Sequence, residues 1–421
     1  MRHSLVALCA IWLICGAAGS AQAEQISISC SAVGRELEIC REGVAVWERK
    51  TGHTVRLVST PNSASDRLAL YQQLLAAHAP DIDVLQIDVV WPGILAAHFL
   101  DLNPYAAAQI EAHFPVVVEN NTVNGRLVAM PWFIDAPMLY YRHDLLEKHR
   151  ELVPRTWREL TDVARRIQDA ERASGNERLW GFVWQGRAYE GLTCDALEWI
   201  ASSGGGQIVE SDGGISVNNP RAARALQLAA TWVGTITPKG VLNYAEEEAR
   251  SVFQSGNAVF MRNWPYAWAL ANGEQSPVRG KVGVAPMPAG EEGSSAATLG
   301  GAQLAVSRYS AHPKIAADLV LHLVGNSEQK RRAIVGGYNP TIPMLYRDPD
   351  VLNANPFFDA VAGSFQRLVP RPSTVAGARY NRVSSAIWNA AHAVISGQSD
   401  ADTALRSLER NLMRLSRGGR W

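Results

Sequence analysis

Apolar positions recur with two periods along the first hundred residues. Residues 25–30 alternate, with Ile26 and Ile28 on one side, as a strand does. Residues 36–50 place Leu37, Val44 and Trp47 on one helical face, and Gly52 ends that run. Residues 55–58 read as a second strand and 65–78 as a second helix. Residues 83–89 form a buried-strand pattern (Val84, Leu85, Ile87), and Pro92 opens the next helix. This β-α-β-α-β beginning predicts a mostly parallel sheet covered by helices. Ligands of such sheets sit beyond the carboxyl ends of the strands, so residues 31–36, 60–66 and 88–91 become the candidate region.

The alternation resumes after Pro131. Helices are predicted over 156–172, 194–202, 220–234, 246–255, 311–324 and 327–334, with an amphipathic terminal helix over 401–416. Asn219 before Pro220 is a good cap. Residues 282–285 and 302–307 read as strands. No tandem repeat, low-complexity tract or long linker interrupts the pattern. About 400 residues is too long for one core. Two α/β lobes are expected, with the chain crossing between them several times.

The extreme N-terminus differs. Arg2 and His3 precede an apolar run over residues 5–18, and Ala21-Gln22-Ala23 follows. That order predicts a cleavable signal peptide over 1–23 and export to the periplasm, the apolar run being short for a membrane span. An uncleaved anchor is the alternative. The chain has 40 basic and 40 acidic residues, and Arg2 alone among them lies in the leader, leaving the mature chain at −1. Such balance gives no electrostatic reason to bind nucleic acid or an anionic membrane. Cys30, Cys40 and Cys194 remain after cleavage. Cys30 and Cys40 could pair across a strand-to-helix turn, and the odd number leaves at least one free thiol. No Cys-x-x-Cys, phosphate loop, Gly-x-Ser-x-Gly or His-Glu-x-x-His pattern appears, so no metal or cofactor is expected.

Several short blocks carry a resemblance. They include Gln86-Ile87-Asp88-Val89-Val90-Trp91, Pro131-Trp132-Phe133-Ile134-Asp135 and Leu139-Tyr140-Tyr141-Arg142. Others are residues 180–186, Arg262-Asn263-Trp264-Pro265-Tyr266-Ala267-Trp268, residues 281–286, Thr298-Leu299-Gly300-Gly301 and Val369-Pro370-Arg371-Pro372. In this order and spacing the chain resembles the maltose/trehalose group of extracellular solute-binding proteins, which serve ABC sugar importers. The resemblance implies the type II-like periplasmic binding fold: two α/β lobes, a hinge of several crossovers and a ligand cleft between them. The lobes would comprise residues 24–132 with about 286–326, and 133–285 with about 327–421. It further implies a disaccharide ligand, ABC permease subunits as partners and a monomeric protein.

A sugar offers paired hydroxyls and apolar C–H faces. Carboxylates accept from hydroxyls, arginines donate, and aromatic faces cover C–H surfaces. By the resemblance, the ligand-binding residues are Glu36, Arg67, Asp88, Asp135, Trp264, Tyr266, Gly301 and Arg371. Each has a plainer alternative. Glu36 could simply favour its helix dipole. Arg67 could be a solvated face residue and Arg371 a surface ion pair. Asp88 could cap the helix after Pro92, and Asp135 could be a turn residue at the first crossing. Alternation predicts Trp264, Tyr266 and Trp268 on one side of an extended segment, Trp268 as core. Tyr189 and Glu190 are second-tier candidates. Acids are expected mainly on the first lobe and aromatics on the second. Ala302 stands where the family often has an aromatic, so a stacking face is lost there. Asp88 with Asp135 could also be a glycosidase pair, but whole-chain resemblance to non-catalytic binders outweighs it. A sugar-sensing receptor would use the same pocket.

Overall fold

The computed structural model describes residues 23–358 and 368–421. The predicted signal peptide, Ala23 apart, lies outside the described residues. Strand Gln25–Cys30 has both faces buried from Ile26 onward. It leads into helix Glu36–Thr51, which has acids in its first turn, Arg49 and Lys50 in its last, and Gly52 in the left-handed conformation as its stop. That charge order suits the helix dipole. Strand Thr54–Ser59, helix Ala64–Ala76 and strand Val84–Asp88 follow, close to the predicted places. Cys30 and Cys40 form a disulfide that ties the end of the first strand to the first helix, and Cys194 is a buried free thiol.

The expected α/β class holds, and the first sheet is mostly parallel as predicted, with one reversed strand, while the second is mixed. The first has the order Thr54–Ser59, Gln25–Cys30, Val84–Asp88, Gly300–Val306, Met130–Asp135. Its first three strands are parallel, and Gly300–Val306 runs antiparallel to both neighbours. The second has the order Val282–Ala285, Met138–Arg142, Ala258–Asn263, Trp180–Val183, with a single parallel pair. The physical reason is the crossing chain: a strand arriving from the other unit is not bound to a β-α-β return, so it can enter in the opposite sense.

Met130–Asp135 and Met138–Arg142 belong to different sheets, so the first crossing falls at Ala136-Pro137. The return occurs just before Gly300. Ala289 and Gly290 are still bonded through their N–H groups to the carbonyls of Arg155 and Ser202 on the second side. Helix Asn326–Gly336 packs on helix Glu36–Thr51, with Arg331 donating to the Ile39 carbonyl. We therefore propose a lobe boundary near 299 rather than 286, with that helix on the first side. Beside the crossing, Ala297–Thr298 and Leu368–Val369 pair as a small parallel ribbon.

Much of the tryptophan content serves packing. Trp157, Trp199 and Trp232 form a buried cluster with Phe182, Trp157 and Trp199 each lying within 5.7 Å of Trp232 by ring centroid. The indole N–H groups of Trp157 and Trp232 donate to Ser202 and Thr161.

The disulfide spans 10 residues of sequence. Chain-entropy reasoning gives roughly 2–3 kcal/mol for so short a loop. Cys30→Ser with Cys40→Ser is expected to lower the urea midpoint accordingly, measured by circular dichroism. An unchanged midpoint would remove the disulfide from the stability account.

Candidate functional site

A cavity of about 90 Å³ lies where the two sheets' ends meet, and all eight residues singled out from the sequence line it. They arrive from separate segments because strand ends deliver them. The first sheet supplies Asp88 and Asp135 at the last positions of their strands. Glu36 opens the first helix and Arg67 lies early in the second.

Glu36 is buried and accepts from Gln86 Nε2 at 2.6 Å, while Gln86 Oε1 accepts the Ser31 N–H, also at 2.6 Å. Burial raises the Glu36 carboxyl above its usual range, opposed by the Gln86 hydrogen bond and by the charges of Arg67 and Arg332. Gln86 was not among the candidates. It stands two residues before Asp88 on the same strand, so the period-two pattern alone puts both on one face. Arg67 lies over the Trp91 ring, 5.6 Å from its centroid, and its Nε is buried with no hydrogen-bond partner among the described residues.

Asp88 does not cap the helix Pro92–Leu95, which has no side-chain cap bond. Its Oδ1 accepts the Val90 N–H at 3.1 Å in the turn before Pro92, and it also accepts from Arg371 Nη2 at 2.8 Å. Asp135 is buried, with Oδ1 unpartnered among the described residues. Burial foremost, then repulsion from Glu36, raises its carboxyl to about 8; Asp88 adds to this and Arg332 and Arg262 oppose it. Arg332 itself was missed. It packs over Trp132 at 4.0 Å, its Nη1 donates to the Trp132 carbonyl, and burial lowers its pKa to about 10. It belongs to a helix without any motif, so no local signal marked it.

On the second side the extended reading of residues 264–268 fails. Strand Ala258–Asn263 ends before Trp264, and helix Tyr266–Ala271 begins immediately after Pro265. Proline has the right φ to start a helix and no N–H to lose there. Trp264 and Tyr266 still line the cavity. Trp264 lies over the Arg262 guanidinium at 4.2 Å. A Cβ on Gly300 would come within 2.7 Å of its ring, so glycine is what lets the indole reach the cleft. Tyr266 donates its hydroxyl to Glu247 at 2.7 Å. Trp268 packs edge-on to Phe357 and is only partly buried, less enclosed than a core assignment implies.

The separation of acids from aromatics also fails. Glu190 and Glu246, at the first positions of their helices, line the cavity from the second side. Arg371 is almost fully buried, and its Nη1 donates to Glu190 Oε1 at 2.7 Å. It is a buried ion-pair partner of two acids, so the surface reading is excluded. Gly301 has φ of +122°, and a Cβ there would lie 2.3 Å from the Phe133 carbonyl oxygen, which requires glycine.

Comparison with known proteins identifies the family and the fold. Residues 36–330 match the family described as bacterial extracellular solute-binding protein. A Deinococcus radiodurans protein named probable ABC transporter-binding protein is 52% identical over 405 residues, 96% of each chain. The maltodextrin-binding protein MdxE of Bacillus subtilis is 24% identical over 346 residues, 80% of this chain and 78% of that one. Among solved structures, maltose-bound MalE3 of T. maritima superposes with a TM-score of 0.89 at 40% identity, covering 93% of this chain and 100% of that one. The two-lobed periplasmic binding fold is shared with these proteins.

Asp135 gives a pH test. Its folded pKa of about 8 exceeds the ~3.9 of an unfolded Asp, so between those values the folded state holds a proton that the unfolded state has released. Stability should then fall with rising pH across that window, by at most about 1.4 kcal/mol per unit. In thermal melts from pH 4 to 8, Asp135→Asn should gain progressively on the natural protein. Parallel curves would place Asp135 among ordinary carboxylates.

Proposed function

Because the chain belongs to the bacterial extracellular solute-binding proteins, we propose that it captures an α-glucoside disaccharide of the maltose or trehalose type for an ABC importer. The observation that carries this is the convergence in one cleft of five carboxylates, Arg67, Arg371 and the Trp264 and Tyr266 rings. Their chemistry matches a sugar's. Glu36 and Asp88 accept from hydroxyls, Asp135, which holds its proton below about pH 8, accepts through one oxygen and donates through the other, the arginines donate to hydroxyl and ring oxygens, and the Trp264 face covers a C–H surface. Glu246 adds an acceptor beside the Trp264 indole. A chain 40% identical over nearly its whole length bound maltose, which favours that disaccharide class. Ala302 lines the cavity with a small side chain and leaves room rather than a stacking face.

Ligand pockets measure ~300–1,000 Å³, well above the 90 Å³ here, so a disaccharide needs the two units to part before it enters. Contacts from both sides coexist only when they approach again. Sugar therefore shifts the hinge equilibrium toward the closed form, which the permease subunits recognise. The protein is exported to the periplasm by its leader, acts as a monomer and releases its sugar unchanged.

Titration calorimetry with maltose and trehalose tests the reading. Binding of at least one is expected, and no binding of either would sink it. Asp88→Ala should weaken binding by about 2 kcal/mol or more, because buried hydrogen-bonding partners lose their acceptor. Trp264→Ala should lower affinity and leave the ligand-free melting temperature nearly unchanged. A large loss of stability would instead assign Trp264 to the core. Glucose released from maltose by a stoichiometric amount of protein would overturn the non-catalytic role.

A further inference from the structure

Glu190 lines the cleft, yet its carboxylate is already occupied. Oε1 accepts from Arg371 Nη1 and from the Tyr380 hydroxyl, and Oε2 accepts from Ser384 Oγ at 2.7 Å. A carboxylate offers about four acceptor sites, so roughly one remains for a ligand. Its links also join parts of the molecule that come from different places. Tyr380 and Ser384 belong to helix Tyr380–Ile395, which packs on helix Glu190–Ser202. Arg371 follows the Leu368–Val369 strand of the crossing ribbon, and its Nη2 reaches Asp88 at the end of a first-sheet strand. The Glu190 backbone N–H donates to Ser65 Oγ in the first unit's helix Ala64–Ala76, at 3.1 Å.

We propose that Glu190 is a positioning residue that holds Arg371 against Asp88 and so couples approach of the two units to ligand capture, without itself serving as a main sugar contact. The inference rests on the cleft being the sugar site. Tyr380 and Ser384 fix the carboxylate, the carboxylate fixes the guanidinium, and the guanidinium spans to the other unit. A neutral amide at position 190 keeps the shape and removes the charge that orients Arg371.

Glu190→Gln should lower maltose affinity about tenfold, mainly through a faster off-rate, and should also lower the ligand-free melting temperature, because buried Arg371 loses one of its two counter-charges; affinity is therefore compared at a temperature where both proteins are folded. In an Arg371→Met background the same substitution should have almost no further effect. Unchanged affinity, or an equal tenfold loss in both backgrounds, overturns the inference. Should Glu190→Gln not fold, Tyr380→Phe combined with Ser384→Ala frees the carboxylate while keeping its charge. A severalfold loss of affinity there supports the role, and none overturns it. Should the natural protein bind neither maltose nor trehalose, the disaccharide reading fails by itself. The inference is then judged without ligand, by spin labels at exposed Gln73→Cys and Glu248→Cys. A wider separation in Glu190→Gln supports the coupling, and an identical distribution overturns it.

Discussion

Arg371 places a full positive charge where water barely reaches. Removing a guanidinium from water costs several kcal/mol unless charges and hydrogen bonds replace it. Asp88 and Glu190 supply that replacement at 2.8 and 2.7 Å, and the Leu299 carbonyl adds a longer contact. The two acids come from opposite units. Satisfying this one cation therefore requires the first sheet's strand end and the second unit's helix start to stand side by side. Much of the cleft's arrangement follows from that demand.

The acids outnumber the cations in the cavity lining, which has its own consequence. Like charges held at low dielectric resist ionisation. For Asp135 burial raises the carboxyl first and the charge of Glu36 adds to it, while its Oδ1 has no donor among the described residues. Glu36 escapes part of the strain through Gln86. Arg332 and Arg262 stand behind the lining and offset some of the charge, and they also lie over the Phe133 and Trp264 rings, respectively, that line the cleft. Arg262 can do so because Asp195 and Glu198 pair with it in the interior.

Glycine and disulfide geometry bring the backbone close enough for these contacts. Gly34 sits with positive φ where a Cβ would meet the Tyr266 ring at 2.4 Å, and a Cβ on Gly300 would come within 2.7 Å of the Trp264 ring. The Cys30–Cys40 bond fixes the turn that carries Gly34 and presents Glu36. Rings from the second unit can then rest directly on first-unit backbone.

The local pattern determined the elements. Periods of two and 3.6, Asn219 before its proline and Gly52 after its helix placed strands and helices close to where they stand, because those signals act within a few residues. The blocks around Asp88, Asp135, Trp264 and Arg371 also carried residues that line the cleft, since each block is a strand end or crossing with its own side-chain pattern. What remained hidden depends on partners distant in sequence. The one reversed strand of the first sheet, the helix beginning at Tyr266, Arg332 behind Asp135, and Glu190 beneath Arg371 are fixed by contacts between segments far apart in sequence, 190 residues for Tyr380 with Glu190 and 283 for Arg371 with Asp88. Hydrophobic period and turn chemistry are properties of neighbours. Buried charge is a property of the whole fold, and only the tertiary structure could say which acid meets which arginine.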